Sequence, residues 1–198
     1  MDYNDVDSRI KRLYLSIDQQ YENDVFQHTK TQTEENGDGK FILTIDFTAK
    51  HDQNETINRI NNMISSLANL KDHLVTKLKI QGGNGQDIEN EINKDLALQI
   101  ILDLNNQEKH GYPLKKTRRS GKDPRIINIS KALSPRPGVK ATAFIRDPIT
   151  GAGATNNMAI VIIAEIVDNQ GNLIYHLSDL INKSLKAWEE IITKYKLN

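Results

Sequence analysis

The chain has no cysteine, which excludes disulfides, thiolate metal sites and a cysteine nucleophile, and fits a reducing, cytoplasmic setting. It also lacks apolar continuity. Its longest run, Met158 to Val167, contains Glu165 and falls far short of the roughly 20 residues a membrane helix needs. The opening residues, Met-Asp-Tyr-Asn-Asp-Val-Asp, are acidic and lack the apolar segment of a secretion signal. No membrane partner is expected. There is no internal repeat, no low-complexity tract and no serine-nucleophile motif. Net charge is absent too, because 26 Lys and Arg face 26 Asp and Glu.

What remains is enough for a core. A hydrophobic fraction of 37% with 26% charged residues is ordinary for a globular protein. Its 198 residues suit one domain, 1–198, in three sections: 1–50, 54–112 and 113–198. Ile10, Leu13, Ile17 and Tyr21 predict a short helix over about 7–22. Val25–Thr33 and Phe41–Phe47 alternate around the turn Glu35-Asn-Gly-Asp-Gly39, which predicts a β-hairpin.

Asn54 stands where an N-cap would open a long helix striped by Ile57, Ile60, Ile64, Leu67, Leu74 and Leu78. After Gln81-Gly-Gly-Asn-Gly85, a second helix is predicted from about Ile88 to His110, with Ile92, Leu96, Ile100 and Leu104 buried. Gly111 and Pro113 stop it. A short Gly-rich connection makes the two helices antiparallel neighbours. Strands follow at Arg125–Ser130, Lys140–Arg146, Met158–Val167 and Leu173–Leu177. Ser178 or Asp179 then caps a last helix striped by Ile181, Leu185, Trp188, Ile192 and Tyr195. The fold class is α+β: an N-terminal hairpin, a central antiparallel helix pair, and a small C-terminal antiparallel sheet closed by a helix.

The balanced charge is unevenly spread. From Tyr112 to Lys140 nine Lys or Arg meet one acid, Asp123, so this segment carries 9 − 1 = +8. Within it, Lys115, Lys116, Arg118, Arg119 and Lys122 are the candidate phosphate contacts. Tyr112 is the only aromatic near them, so no platform for stacking bases is present, and salt-sensitive backbone binding is the most this loop supports.

Asp103, Asn106 and His110 are spaced i, i+3, i+7 and share one face at the end of the second helix. His110 there reads either as a cap on the last carbonyls or as a general acid or base, with Asp103 orienting it. Asp72 and His73, on the first long helix, could face this row. A metal site from Asp72, His73, Asp103 and His110 is conceivable, although neither helix carries a metal-ligand spacing. Thr150-Gly-Ala-Gly-Ala-Thr155 lies between predicted strands and reads as a hairpin loop, not a phosphate cradle.

Asn105-Asn-Gln-Glu-Lys-His110-Gly-Tyr112 resembles the motif that ends the third helix of HEPN-domain proteins. That motif is Arg, commonly Asn, three further residues, His, a variable residue and Tyr. Asn106, His110, Gly111 and Tyr112 match it, while Asn105 stands at the Arg position. The resemblance covers the helix pair, 54–112. It implies a HEPN-like helical bundle, often a homodimer whose His sites face across the dimer cleft. It also implies an RNA-associated bacterial protein. Many members are metal-independent endoribonucleases, without cofactor, of toxin–antitoxin or phage-defence systems, with a cognate antitoxin or defence partner. In some toxins the residue matching Tyr112 is adenylylated.

Asn105 departs from this pattern. In such ribonucleases the Arg steadies phosphate charge while the His handles the 2′-hydroxyl proton, and losing a charge stabiliser costs about 10²–10³ in rate. Arg118 or Arg119 would have to supply that charge. Two classes therefore stay open: a degenerate endoribonuclease, and a non-catalytic regulatory or structural protein that dimerises through the helix pair. A metal hydrolase is a third.

Overall fold

The computed structural model describes residues 8, 10, 30–36, 40–46, 53–111, 119–135 and 158–197. Ser8 and Ile10 are helical. The rest of the helix predicted over 7–22 lies outside the described residues. So do the strand at Lys140–Arg146, the loop at Thr150–Thr155, and Tyr112, Lys115, Lys116 and Arg118. The protein is α+β, and the chain divides into two compact units.

One unit, residues 19–56 and 130–162, contains a hairpin. Strand β1 (Lys30–Asn36) pairs antiparallel with β2 (Lys40–Asp46), in a register running from Lys30↔Asp46 to Asn36↔Lys40. Pairing thus extends through Glu35 and Asn36, which the sequence assigns to the turn. The connection is only residues 37–39, Gly-Asp-Gly.

The other unit holds 1–18, 57–129 and 163–198. Helix α1 (Gln53–Ile80) begins one residue before Asn54, so Asn54 lies in its first turn. Most of its predicted stripe is buried, namely Ile60, Ile64, Leu67, Leu74 and Leu78, joined by Met63 and Leu70, whereas Ile57 is only half-buried.

The second long helix is two helices, α2 (Gln86–Ile92) and α3 (Leu96–His110). The break falls at Asn93-Lys-Asp95. Asp95 adopts an extended backbone (φ −112°, ψ 115°), and its carboxylate accepts the Leu98 N–H at 2.8 Å, the work of an N-cap. Apolar periodicity continues across the break, which is why spacing alone joins the two pieces. Leu96, read as buried, is 37% exposed, whereas Ala97, Leu98 and Ile100 through Asn105 are all buried. A helix buried over most of its circumference is a central helix, not one lying on a surface.

Helix α3 runs antiparallel to α1. Asn61 donates to Glu108 at 2.8 Å and Ser65 to Asn105 at 2.8 Å, so rising numbers on one helix meet falling numbers on the other. Gly111 ends α3 at φ 80°, its N–H on Gln107 O, a conformation open to glycine.

Strands β3 (Arg125–Pro135), β4 (Met158–Val167) and β5 (Leu173–His176) form a sheet in that order. Strands β4 and β5 are antiparallel, Glu165 opposite His176, with a bulge between Ile166 and Val167. Their turn is built by Asp168, whose carboxylate accepts the N–H groups of Gln170 and Asn172 and the Asn172 side-chain amide.

Helix α4 (Leu177–Tyr195) leaves β5 directly. His176 is its N-cap and makes no side-chain capping bond, so neither Ser178 nor Asp179 caps it. Asp179 sits in the first turn, where a negative charge suits the helix dipole. Its buried face takes in Leu180, Ile181, Ser184, Leu185, Ala187, Trp188, Ile191 and Ile192. Lys196 turns left-handed at φ 52°, Leu197 N–H returns to Ile192 O, and the Leu197 side chain is fully buried. A hydrophobic anchor thereby holds a lysine in a conformation that usually falls to glycine.

Candidate functional site

Of the row on α3, only Asp103 is fully enclosed. Its Oδ2 accepts the Ser120 N–H at 2.9 Å and the Ser120 hydroxyl at 2.6 Å. A carboxylate out of water is costly unless donors surround it, and these two come from the segment that re-enters after the basic loop. Ser120 Oγ in turn accepts the Lys122 N–H at 3.2 Å, and Lys122 O accepts from Asn169 N. Asp103 therefore anchors residues 119–122 against α3.

This placement separates Asp103 from His110. Seven residues of helix rise about 10 Å, too far for a carboxylate to orient the ring directly. His110 is exposed, the last residue of α3. Between them Asn106 is half-buried, and Asn105 is buried with its Oδ1 taken by Ser65. The residue at the motif's Arg position is thus part of the α1–α3 contact.

Asn106 instead lines a polar groove of about 580 Å³ between α1, α2, α3 and Arg119. Its charged walls are Lys71 and Asp72 of α1, Glu89 of α2, Lys109 of α3, and Arg119. Amides of Asn69, Gln86, Asn93, Asn105 and Asn106 fill the spaces between them. Glu89 joins two of the cations. It pairs with Lys71 at 3.2 Å and with Arg119, whose guanidinium also donates to Asn93 Oδ1 at 3.4 Å. Burial pushes the Glu89 carboxyl up. The Arg119 hydrogen bond and charge, with Lys71 behind them, outweigh that and hold it below its usual value.

Asp72 is exposed at the groove, and His73 is half-buried on the same helix. Among the described residues no three His, Asp or Glu stand close enough to hold a metal, so Asp72, His73, Asp103 and His110 do not converge. Lys122 is exposed. Sequence reading missed Glu89, Asn93, Lys109 and Ser120. Glu89 and Asn93 are four apart on one helical face, which is a legible signal. Nothing in the sequence marks Ser120 as the residue that bonds Asp103 Oδ2, and Asp103 Oδ1 is buried without a hydrogen-bond partner among the described residues.

A second carboxylate ties α2 to α4. Glu91 accepts from Lys194 at 2.8 Å and Lys94 at 2.9 Å, and these bonds, Lys194 first, lower its pKa to about 2. A depressed carboxylate stabilises the fold above its unfolded pKa, near 4.5, and that contribution disappears as pH falls toward the folded value. Glu89 acts in the same direction. The urea midpoint is therefore expected to fall between pH 4.5 and about 2. The fall should be smaller in Glu91→Gln and in high salt, which screens exposed pairs. An identical acid profile for Glu91→Gln would remove Glu91 from the account.

Among the described residues no helix is long and apolar enough to cross a membrane. Compared with protein-family models, with curated proteins and with solved structures, the chain has no match.

Proposed function

We propose that this is an RNA-associated protein, HEPN-like in its helix pair, that binds the phosphate backbone without cutting it. One observation carries the reading: Lys109 at the end of α3 and Arg119 at the return of the +8 segment border the same amide-lined groove. Cations and side-chain amides are the groups that contact phosphate and sugar, and they do so without reading sequence. The buried, hydrogen-bonded Asn105 favours loss of catalysis, because it offers no charge to a phosphate. Arg119, the substitute considered from sequence, is held by Glu89 and Asn93. Exposed His110 then serves as a further polar contact and complements the helix dipole. Dimerisation through the helix pair and a cognate defence or antitoxin partner belong to the same proposal.

An end-labelled single-stranded RNA incubated with the protein in EDTA tests it. The expected result is a retarded but intact RNA. Cleavage that disappears in His110→Ala would instead restore the endoribonuclease reading. A light-scattering mass of twice 22.5 kDa is the expected oligomer.

A further inference from the structure

The groove holds an arrangement that simple cross-linking of helices does not require. Lys71 and Arg119 reach it from different elements, α1 and the segment after α3, yet both converge on Glu89, while Lys71 also lies 3.6 Å from the exposed Asp72 carboxylate. The Arg119 guanidinium also has Asn93 as an acceptor, so it is already positioned by a neutral neighbour. All three side chains are mostly covered but keep an edge at the groove, with 24% of Lys71, 20% of Arg119 and 25% of Glu89 exposed. Two cations fixed a short distance apart around two carboxylate oxygens, at the wall of a groove, also fit two oxygens of a phosphate. On the far side of the groove stands Lys109, and amides between them can hydrogen-bond to sugar or phosphate.

We propose that Lys71 and Arg119 form a phosphodiester-binding site of this protein, and that Glu89 is its resident competitor, displaced when an RNA phosphate enters. This rests on the RNA-backbone reading above and adds the subsite and the group that limits its affinity. A phosphate oxygen pair takes the place of the Glu89 oxygens. Asn93 keeps the guanidinium in position, and the released carboxylate turns to water. Binding is accordingly weaker than the cations alone would give, and removing the Glu89 charge strengthens it.

The experiment measures binding of a labelled single-stranded RNA to the full chain by fluorescence anisotropy, with thermal melts to confirm folding. Glu89→Gln is expected to tighten binding about tenfold. Glu190→Gln makes the same change in net charge on α4, where the residue pairs at 4.0 Å with Lys186, and should change it less than about twofold. Lys71→Gln, which leaves Glu89 and Arg119 in place, should weaken binding, and it serves as the readout should Glu89→Gln not fold. Equal effects of the two Glu→Gln variants, or an unchanged affinity in Lys71→Gln, would overturn the displacement idea while leaving RNA binding intact. Absence of binding by the wild-type protein would overturn the underlying reading itself.

Discussion

Asp103→Ala is expected to lower the unfolding free energy by about 3 kcal/mol, measured in urea at neutral pH with the m-value unchanged. Asp103 is fully buried and receives two hydrogen bonds from Ser120. Truncation leaves the Ser120 N–H and hydroxyl without their acceptor and opens a gap in α3's packing. Asp103→Asn keeps the shape and one acceptor oxygen, so its loss should be about half as large. A loss below about 0.5 kcal/mol for the alanine variant would place it with ordinary surface changes and contradict the anchoring role. Because Arg119 precedes Ser120, the alanine variant should also bind RNA more weakly while still folded.

The second large effect concerns binding. Lys109→Gln with Arg119→Gln is expected to weaken affinity for single-stranded RNA about tenfold at near-physiological salt. Losing two phosphate contacts should also reduce the slope of log affinity against log salt by about 1.4, at roughly 0.7 per contact. Weaker binding with an unchanged slope would mean that the pair shapes the protein without touching phosphate. Lys109 is exposed at the last turn of α3, so its replacement costs the fold little.

Where burial alone organises the chain, sequence reads well. The α1 stripe, the strand at Met158–Val167 and the Ile181–Leu185–Trp188–Ile192 face of α4 emerge from periodicity because apolar spacing is the physical cause of each. Caps read less well. Asp95 opens a new helix within a continuous apolar pattern by hydrogen-bonding a backbone amide, and Asn54, Ser178 and Asp179 have the right chemistry for caps at positions already inside helices.

The site was least legible. Spacing correctly puts Asp103, Asn106 and His110 on one face. That face, however, runs from the fully buried interior to solvent, so its members do different work: Asp103 binds Ser120, Asn106 lines the groove, and His110 is exposed. The partners Lys71, Glu89 and Arg119 lie on three elements. Only tertiary packing brings them together, and no one-dimensional pattern records it.

The most direct measurement is the affinity of the wild-type chain for single-stranded RNA of unrelated sequences across a salt series. Binding is expected to barely distinguish the sequences and to weaken with salt, with a slope of about −2 for the three groove cations and steeper if the basic segment adds contacts. No binding at about 50 mM salt, or an affinity indifferent to salt, would contradict the RNA-binding reading.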